Sequence, residues 1–64
     1  MIIEVFDRHR KEYVTVNMEN VTHITGNNSI ANIYLINNGV LVSGSSYSEV
    51  RQLIDMKLED HADG

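Results

Sequence analysis

The chain contains neither cysteine nor proline among its 64 residues. Without cysteine, no disulfide and no thiolate metal site can stabilise the fold. A chain of this length buries only roughly 60% of the surface that its unfolded form exposes. Domains of this size usually depend on a disulfide, a metal or a partner chain. We therefore expect one domain that is stabilised by close packing or by self-association.

Targeting and membrane signals are also lacking. No N-terminal stretch combines a basic start with an apolar run of signal-peptide length. No segment approaches the ~18 apolar residues of a membrane span. The matches to the glycosylation sequon at 20–22 and 27–29 are therefore interpreted as chance. Because the missing cysteine also fits a reducing compartment, we expect a cytoplasmic protein without a membrane partner.

Net positive charge is lacking as well, since the formal net charge is −4. This argues against broad attraction to nucleic acid or to an anionic membrane. The charges are unevenly distributed along the chain. Three of the five basic residues form a possible basic contact in one short stretch: Arg8, Arg10 and Lys11. Acids near the C-terminus form a possible acidic contact: Asp55, Glu59 and Asp60.

Five segments have the β-branched and aromatic composition of strands. They cover residues 2–6, 12–16, 21–25, 30–36 and 40–43. Because proline is absent, turns must come from Gly, Asn, Asp and Ser. The charged segment 7–11 predicts a hairpin loop and 26–29 predicts a turn. Asn38-Gly39 lies between two apolar runs and is the preferred two-residue hairpin turn.

One helical pattern follows, starting at Ser46. Ser46 and Glu49 have the spacing of a capping box. Apolar residues recur on one helix face, with Tyr47 extending the stripe: Val50, Leu53, Ile54 and Leu58. We expect a helix over 46–58 and a frayed acidic tail over 59–64. The predicted fold is α+β, a small antiparallel sheet of four to five strands followed by one C-terminal amphipathic helix, in a single domain over 1–58.

Apolar residues occur on both faces of the predicted strands. In the first strand Ile3 and Val5 share one face, whereas Ile2 and Phe6 share the other. Because one helix covers only one face, we expect either a strongly curled sheet or a second face that meets another chain. The residues without an obvious partner inside the chain are the predicted face for self-association or partner binding: Ile2, Phe6, Tyr13, Ile30, Tyr34 and Ile36.

Catalytic and metal-binding groupings are missing from the sequence. His9, His23 and His61 fall in a loop, a strand and the tail, without the spacing of metal ligands on a regular element. Serines cluster ahead of the helix, where capping accounts for Ser46 and the spacing of a phosphate-binding loop is absent. We therefore expect no enzymatic activity, no metal and no cofactor.

The order and spacing of the elements resemble the small flagellar and swarming-motility proteins of the FlbD/SwrD type. The resemblance covers most of residues 1–54 and is carried by core and turn positions: Asn17, Val21, Ile24, Ile33, Leu35, Asn38-Gly39, Val42, Glu49-Val50 and Ile54. The charged first turn and the missing proline after Asn17 depart from that family's pattern. Residues 20–54 also resemble the LytTR DNA-binding domain in their order of strands, turn and helix, but lack the basic residues that DNA contact needs. Neither resemblance assigns a functional residue.

Three functions follow from these features. The leading hypothesis is a non-enzymatic protein-interaction module that forms a dimer or higher homo-oligomer and binds a partner through its sheet edge or uncovered face. The alternative is a small acidic inhibitor, such as phages encode against host defence or host nucleic-acid enzymes, acting through the acidic contact. The third is weak nucleic-acid binding through the basic contact, although exposed charge runs usually only solvate a surface.

Overall fold

The computed structural model describes residues 1–63, with side chains for residues 1–59. Within these residues, five strands precede one helix, which confirms the predicted α+β class. The elements are β1 (Ile2–Asp7), β2 (Glu12–Asn17), β3 (Val21–Gly26), β4 (Ala31–Leu35), β5 (Val40–Ser43) and α1 (Tyr47–Asp63). A 3₁₀ turn, Met18–Asn20, separates β2 from β3. Each strand agrees with its predicted segment to within one residue at either end.

The strands form one antiparallel sheet in the order β2-β1-β5-β4-β3. Three of its pairings, β1 with β2, β3 with β4, and β4 with β5, join neighbours in the chain. β1 and β5 instead pair only around Asp7 and Ser43. There the N–H of Arg8 donates to the Val42 carbonyl, and the N–H of Gly44 to the Phe6 carbonyl, both at 2.9 Å. The two halves of the sheet are therefore joined at one short contact.

The sheet curls into a partly open barrel. β2 and β3 lie at opposite edges of the sheet, yet the three-residue turn Met18–Asn20 joins them. The four Cα–Cα steps from Asn17 to Val21 span at most roughly 14 Å, so the two edges come together at this end. The curl encloses the inner face of the sheet and leaves the outer face open. The sheet face that the helix was predicted to leave uncovered is therefore the outer face.

The core lies between the inner face and α1. Its buried residues are Ile3, Val5, Val16, Ala31, Ile33, Val50 and Ile54. Apolar residues at alternate strand positions point inward as a two-residue period requires, and Val50 and Ile54 come from one face of α1. Leu58 was assigned to the same stripe by its spacing, but that prediction is wrong because Leu58 is 51% exposed. Every described side chain of α1 beyond Ile54 is exposed.

The helix is longer than its sequence pattern predicts. It begins at Tyr47 and extends to Asp63, so the predicted end at Leu58 is wrong. The side chains of Asp60 and His61 and all of Gly64 lie outside the described residues. Within residues 1–63, no helix combines the length and the apolar character needed to cross a membrane.

The loop between β4 and β5 differs from the predicted two-residue turn. The Leu35 N–H donates to the Gly39 carbonyl at 2.8 Å, which closes a three-residue loop over 36–38. Asn38 has a φ of 68°, and none of the glycines within residues 1–63 has a positive φ. The Asn37 side-chain oxygen accepts from the Gly39 N–H at 2.9 Å and holds this arrangement. The turn lies where Asn38-Gly39 predicts it, but the left-handed residue is the asparagine.

The serine half of the predicted capping box is present at the start of α1, whereas the Glu49 carboxylate accepts from the Ser46 hydroxyl and not from the Ser46 backbone N–H. The Ser46 hydroxyl accepts from the Glu49 N–H at 3.2 Å and donates to the Glu49 carboxylate, also at 3.2 Å. Replacing Ser46 with alanine is expected to lower the free energy of unfolding by about 1 kcal/mol, because one helix N–H loses its acceptor. Urea unfolding measures the change. Ser48→Ala, at an exposed position of the first turn, is the control, and an equal loss in both variants would contradict the cap.

Candidate interaction surfaces

An aromatic pair lies on the outer face of the sheet, opposite α1. Phe6 of β1 and Tyr13 of β2 are directly paired across the ladder. Their rings meet edge to face, with centroids 5.3 Å apart and an interplanar angle of 75°. A β-carbon at Gly44 would lie 3.2 Å from Cδ2 of Phe6, so the ring covers the β1–β5 contact. Tyr13 remains 70% exposed despite this pairing.

A second aromatic pair lies on the same face in the other half of the sheet. His23 of β3 and Tyr34 of β4 are ladder partners whose rings stack with centroids 4.2 Å apart and 7° between their planes. The Thr22 hydroxyl lies 2.8 Å from Nδ1 of His23 and orients the imidazole. Val40 of β5 is paired with Tyr34 on its other side and is 51% exposed. We call the exposed and half-buried set on this face the outer apolar face: Ile2, Phe6, Tyr13, Tyr34 and Val40.

Alternation along the strands places most of the predicted association face on the outer side of the sheet, in one group on β1–β2 and another on β4–β5. Ile2, Phe6, Tyr13 and Tyr34 belong to the outer apolar face, and half-buried Ile30 immediately precedes β4. Ile36 does not join them, because β4 ends at Leu35 and Ile36 begins the following loop. Sequence reasoning missed Val40 and His23, since their places beside Tyr34 follow from strand register and not from residue type. The binding role of this face stays a prediction.

A groove opens beside the free edge of β2. It has a volume of about 390 Å³ and an apolar floor of Val16, Leu35 and Leu41. Its rim is more polar and includes Thr15, Asn17, Asn20, Ile36 and Asn37. A second hollow of about 420 Å³ shares Thr15, Leu35 and Leu41 and continues toward Asp7 and Arg10. Both hollows lie between β2 and the β4–β5 hairpin, and we call them together the β2 groove.

The predicted basic contact is an exposed loop built on a buried aspartate. The Asp7 carboxylate accepts from the backbone N–H groups of His9 at 2.8 Å and Arg10 at 3.1 Å. Its second oxygen lies 3.7 Å from Nε of Arg10. The Lys11 N–H donates to the Asp7 carbonyl at 2.8 Å, and Lys11 has a φ of 56°. Asp7 therefore shapes the loop and partly neutralises Arg10, while the cationic groups of Arg8 and Lys11 remain exposed.

The predicted acidic contact lies on the exposed part of α1. Asp55 forms an ion pair with Arg51 at 3.7 Å, one helical turn earlier, with both side chains more than half exposed. Exposed pairs of this kind contribute little to stability. Glu59 is also exposed, and the side chain of Asp60 lies outside the described residues. The acidic contact consists, as far as side chains are described, of one paired and one further carboxylate.

The histidine and carboxylate side chains within the described residues are dispersed. There, no group of three or more His, Asp or Glu side chains is placed to hold a metal ion. His9 lies in the β1–β2 loop, and His23 is stacked on Tyr34. In the same part of the chain, every buried side-chain nitrogen and oxygen has a hydrogen-bond partner. The described interior therefore contains no unpaired polar group aimed at a ligand.

Comparison with known proteins identifies no family model, no curated protein and no solved structure that matches this chain. The resemblance to motility proteins noted from the sequence stays a prediction. Any functional assignment therefore depends on the surfaces described above.

Proposed function

We propose that this chain is a non-enzymatic protein-interaction module that binds a partner protein through the outer apolar face. The observation that carries the proposal is the Phe6–Tyr13 pair, whose tyrosine is 70% exposed on the face opposite α1. Exposed apolar patches with a polar surround usually mark sites of protein association. Aromatic residues, tyrosine above all, are enriched among the residues that dominate binding energy.

The surroundings of the pair suit such a contact. Glu4 and Thr15, also ladder partners, lie between the aromatic pair and exposed Ile2 on the same face. A protein interface commonly has this composition, with an apolar centre and polar groups around it. Tyr13 suits a position that alternates between water and a partner, because its ring is apolar and its hydroxyl can remain hydrated. Because its side chain is largely exposed, Tyr13 contributes little to the stability of the fold. Its replacement should therefore change the affinity for a partner much more than the free energy of unfolding.

Replacing Tyr13 with serine is expected to weaken partner binding at least tenfold, since central tyrosines of interfaces commonly contribute more than about 1.4 kcal/mol. The free energy of unfolding should fall by less than about 1 kcal/mol, the size of one cross-strand pair. Immobilised chain is used to capture proteins from an extract of the native host. The captured protein is then purified and titrated against both forms of the chain.

Met56→Ser is the matched control, because Met56 is 62% exposed but lies on α1, away from the outer apolar face. We expect this variant to bind the captured protein as the unchanged chain does. Equal affinity of the Tyr13→Ser variant and the unchanged chain would contradict the proposed surface. Failure of the unchanged chain to retain any protein above background would contradict the proposed function itself.

A further inference from the structure

The loop between β4 and β5 contains Asn38, which is the one asparagine of the chain that is followed by glycine. Asn38 is exposed to solvent. Glycine carries no β-carbon next to its own backbone nitrogen, and its backbone rotates more freely than that of other residues. The nitrogen of Gly39 can therefore reach the side-chain amide of Asn38 more readily than the residue after any other asparagine can reach its neighbour.

We propose that Asn38 is a site of spontaneous deamidation and that Asn37 controls the rate. The backbone nitrogen of Gly39 gives its proton to the solvent and attacks Cγ of Asn38. A bond forms between these two atoms, the bond between Cγ and Nδ2 breaks, and Nδ2 takes a proton from the solvent and leaves as ammonia. Water then opens the cyclic succinimide at either of its carbonyl carbons, which gives aspartate or isoaspartate. Water is the only co-reactant.

The native loop slows this reaction through one hydrogen bond. The Gly39 N–H donates to the side-chain oxygen of Asn37 at 2.9 Å. This bond holds the proton that must leave and keeps the nitrogen directed at Asn37. The attack on Asn38 requires a rotation about the Cα–C bond of Asn38, one of the two soft backbone torsions of a residue. Because that rotation moves the Gly39 nitrogen away from Asn37, the reaction proceeds from loop conformations in which the bond is broken.

The turn between β3 and β4 repeats this arrangement without the glycine. There the Ser29 N–H donates to the side-chain oxygen of Asn27 at 2.8 Å, and Asn28 lies between them. Asn28 is exposed, as Asn38 is. The chemical difference between the two turns is the residue that supplies the attacking nitrogen, which is serine in one and glycine in the other. The chain therefore contains its own comparison site.

Peptide mapping by mass spectrometry tests the site. The folded, unchanged chain is incubated in mildly basic buffer and sampled over time, beside a sample unfolded in urea. We expect aspartate and isoaspartate to appear at Asn38 well before any conversion at Asn28. Equal rates at the two asparagines would overturn the proposed site. So would an Asn38 that stays intact in the folded chain while the unfolded chain converts.

Replacing Asn37 with alanine tests the control of the rate. The variant keeps the Asn38-Gly39 step and should convert about fivefold faster, which is the rate equivalent of about 1 kcal/mol for one hydrogen bond. Asn27→Ala is the matched control, because it removes the equivalent bond in the other turn and should leave the rate at Asn38 unchanged. An unchanged rate in Asn37→Ala, or equal acceleration in both variants, would overturn the role of Asn37.

Gly39→Ala separates the two effects of the loop. A β-carbon at Gly39 would lie 2.9 Å from the side-chain oxygen of Asn37. Asn37 is exposed, so its side chain can turn away and the restraining hydrogen bond is lost. The same β-carbon hinders the attacking nitrogen, and we expect Asn38 to convert more slowly than in the unchanged chain. Faster conversion would overturn the requirement for glycine.

The inference does not depend on the proposed function, because Asn38 lies in the β4–β5 loop and outside the outer apolar face. Retention of a partner protein by the unchanged chain leaves the deamidation rates unaffected. Conversely, an intact Asn38 overturns this inference and leaves the outer apolar face as the proposed binding surface.

Discussion

Replacing Ile33 with alanine is expected to lower the free energy of unfolding by about 3–5 kcal/mol. Ile33 is fully buried in the middle of β4, paired with Ile24 on one side and Leu41 on the other. The substitution removes buried methyl groups and leaves a cavity that neighbouring strands fill only in part. A domain of this size has a total of roughly 3–10 kcal/mol. Much of the variant should therefore be unfolded at 37 °C.

Circular dichroism during urea unfolding measures this loss, with Ile36→Ala as the control. Ile36 is also an isoleucine near β4, but it is 63% exposed in the loop. Its replacement should change the free energy of unfolding by less than about 0.5 kcal/mol. Equal unfolding midpoints for the two variants would contradict a core centred on the inner face.

Replacing Gly26 with alanine is expected to cost about 3 kcal/mol, the upper end of the usual effect of overpacking. A β-carbon at this position would lie 2.5 Å from the Ile30 carbonyl oxygen and 2.9 Å from the Ala31 Cα, both backbone atoms. The backbone cannot easily move away, because the N–H of Tyr47 at the start of α1 donates to the Asn27 carbonyl at 3.0 Å. The added methyl group should therefore loosen the β3–β4 turn and the helix start together.

Thermal unfolding monitored by circular dichroism measures this effect. Gly44→Ala is the matched control, since its new β-carbon would meet only the side-chain ring of Phe6, with Cδ2 at 3.2 Å and Cε2 at 3.9 Å. A ring can shift where a backbone cannot, so we expect a loss of less than about 1 kcal/mol. If the two alanine variants lost the same stability, the close backbone approach at Gly26 would not be the cause.

The five strands were predictable because their evidence is local. Each is a run of β-branched and aromatic residues between turn formers, and alternation assigns Ile3, Val5 and Ile33 to the buried face. The strand order was not predictable in this way. β1 and β5 pair through Asp7 and Ser43, which are far apart in the chain, and neither residue type marks a strand pairing. Such a contact depends on how the hairpins pack against each other, and this packing cannot be predicted from any short segment of the sequence.

The positions of turns and helix ends could be predicted from the sequence only in part. Asparagine and glycine both tolerate positive φ, so the sequence places the turn near Asn38 without deciding the loop length. Lys11 has a positive φ without either residue type, because Asp7 holds the loop from the opposite strand. Ser46 predicts the start of α1 because serine is a preferred N-cap. No comparable signal predicts its end, since the sequence has no glycine or proline between Ser46 and Gly64. The acids near the helix end are each unfavourable by only a few tenths of a kcal/mol, too little to stop it.

The candidate surfaces were predictable to the same extent. Alternation identifies Ile2, Phe6 and Tyr13 as residues that the helix does not cover. It fails at Ile36, where the strand ends one residue early, and it cannot find the His23–Tyr34 stack, which depends on the register between two strands. The β2 groove could not be predicted from any single segment, because its walls come from both halves of the sheet. Which partner occupies these surfaces is recorded in no segment of the chain.

The single short contact between β1 and β5 also bears on how fast the chain folds. Every other pairing closes a short loop between consecutive strands, and these hairpins form with little loss of chain entropy. The entropic cost of joining distant segments arises only when Asp7 meets Ser43. In the same step the core residues of both halves are buried together, and this burial offsets the entropic cost. Proteins dominated by contacts between sequence neighbours cross their folding barrier quickly. This topology therefore makes the meeting of Asp7 and Ser43 the step that completes the sheet.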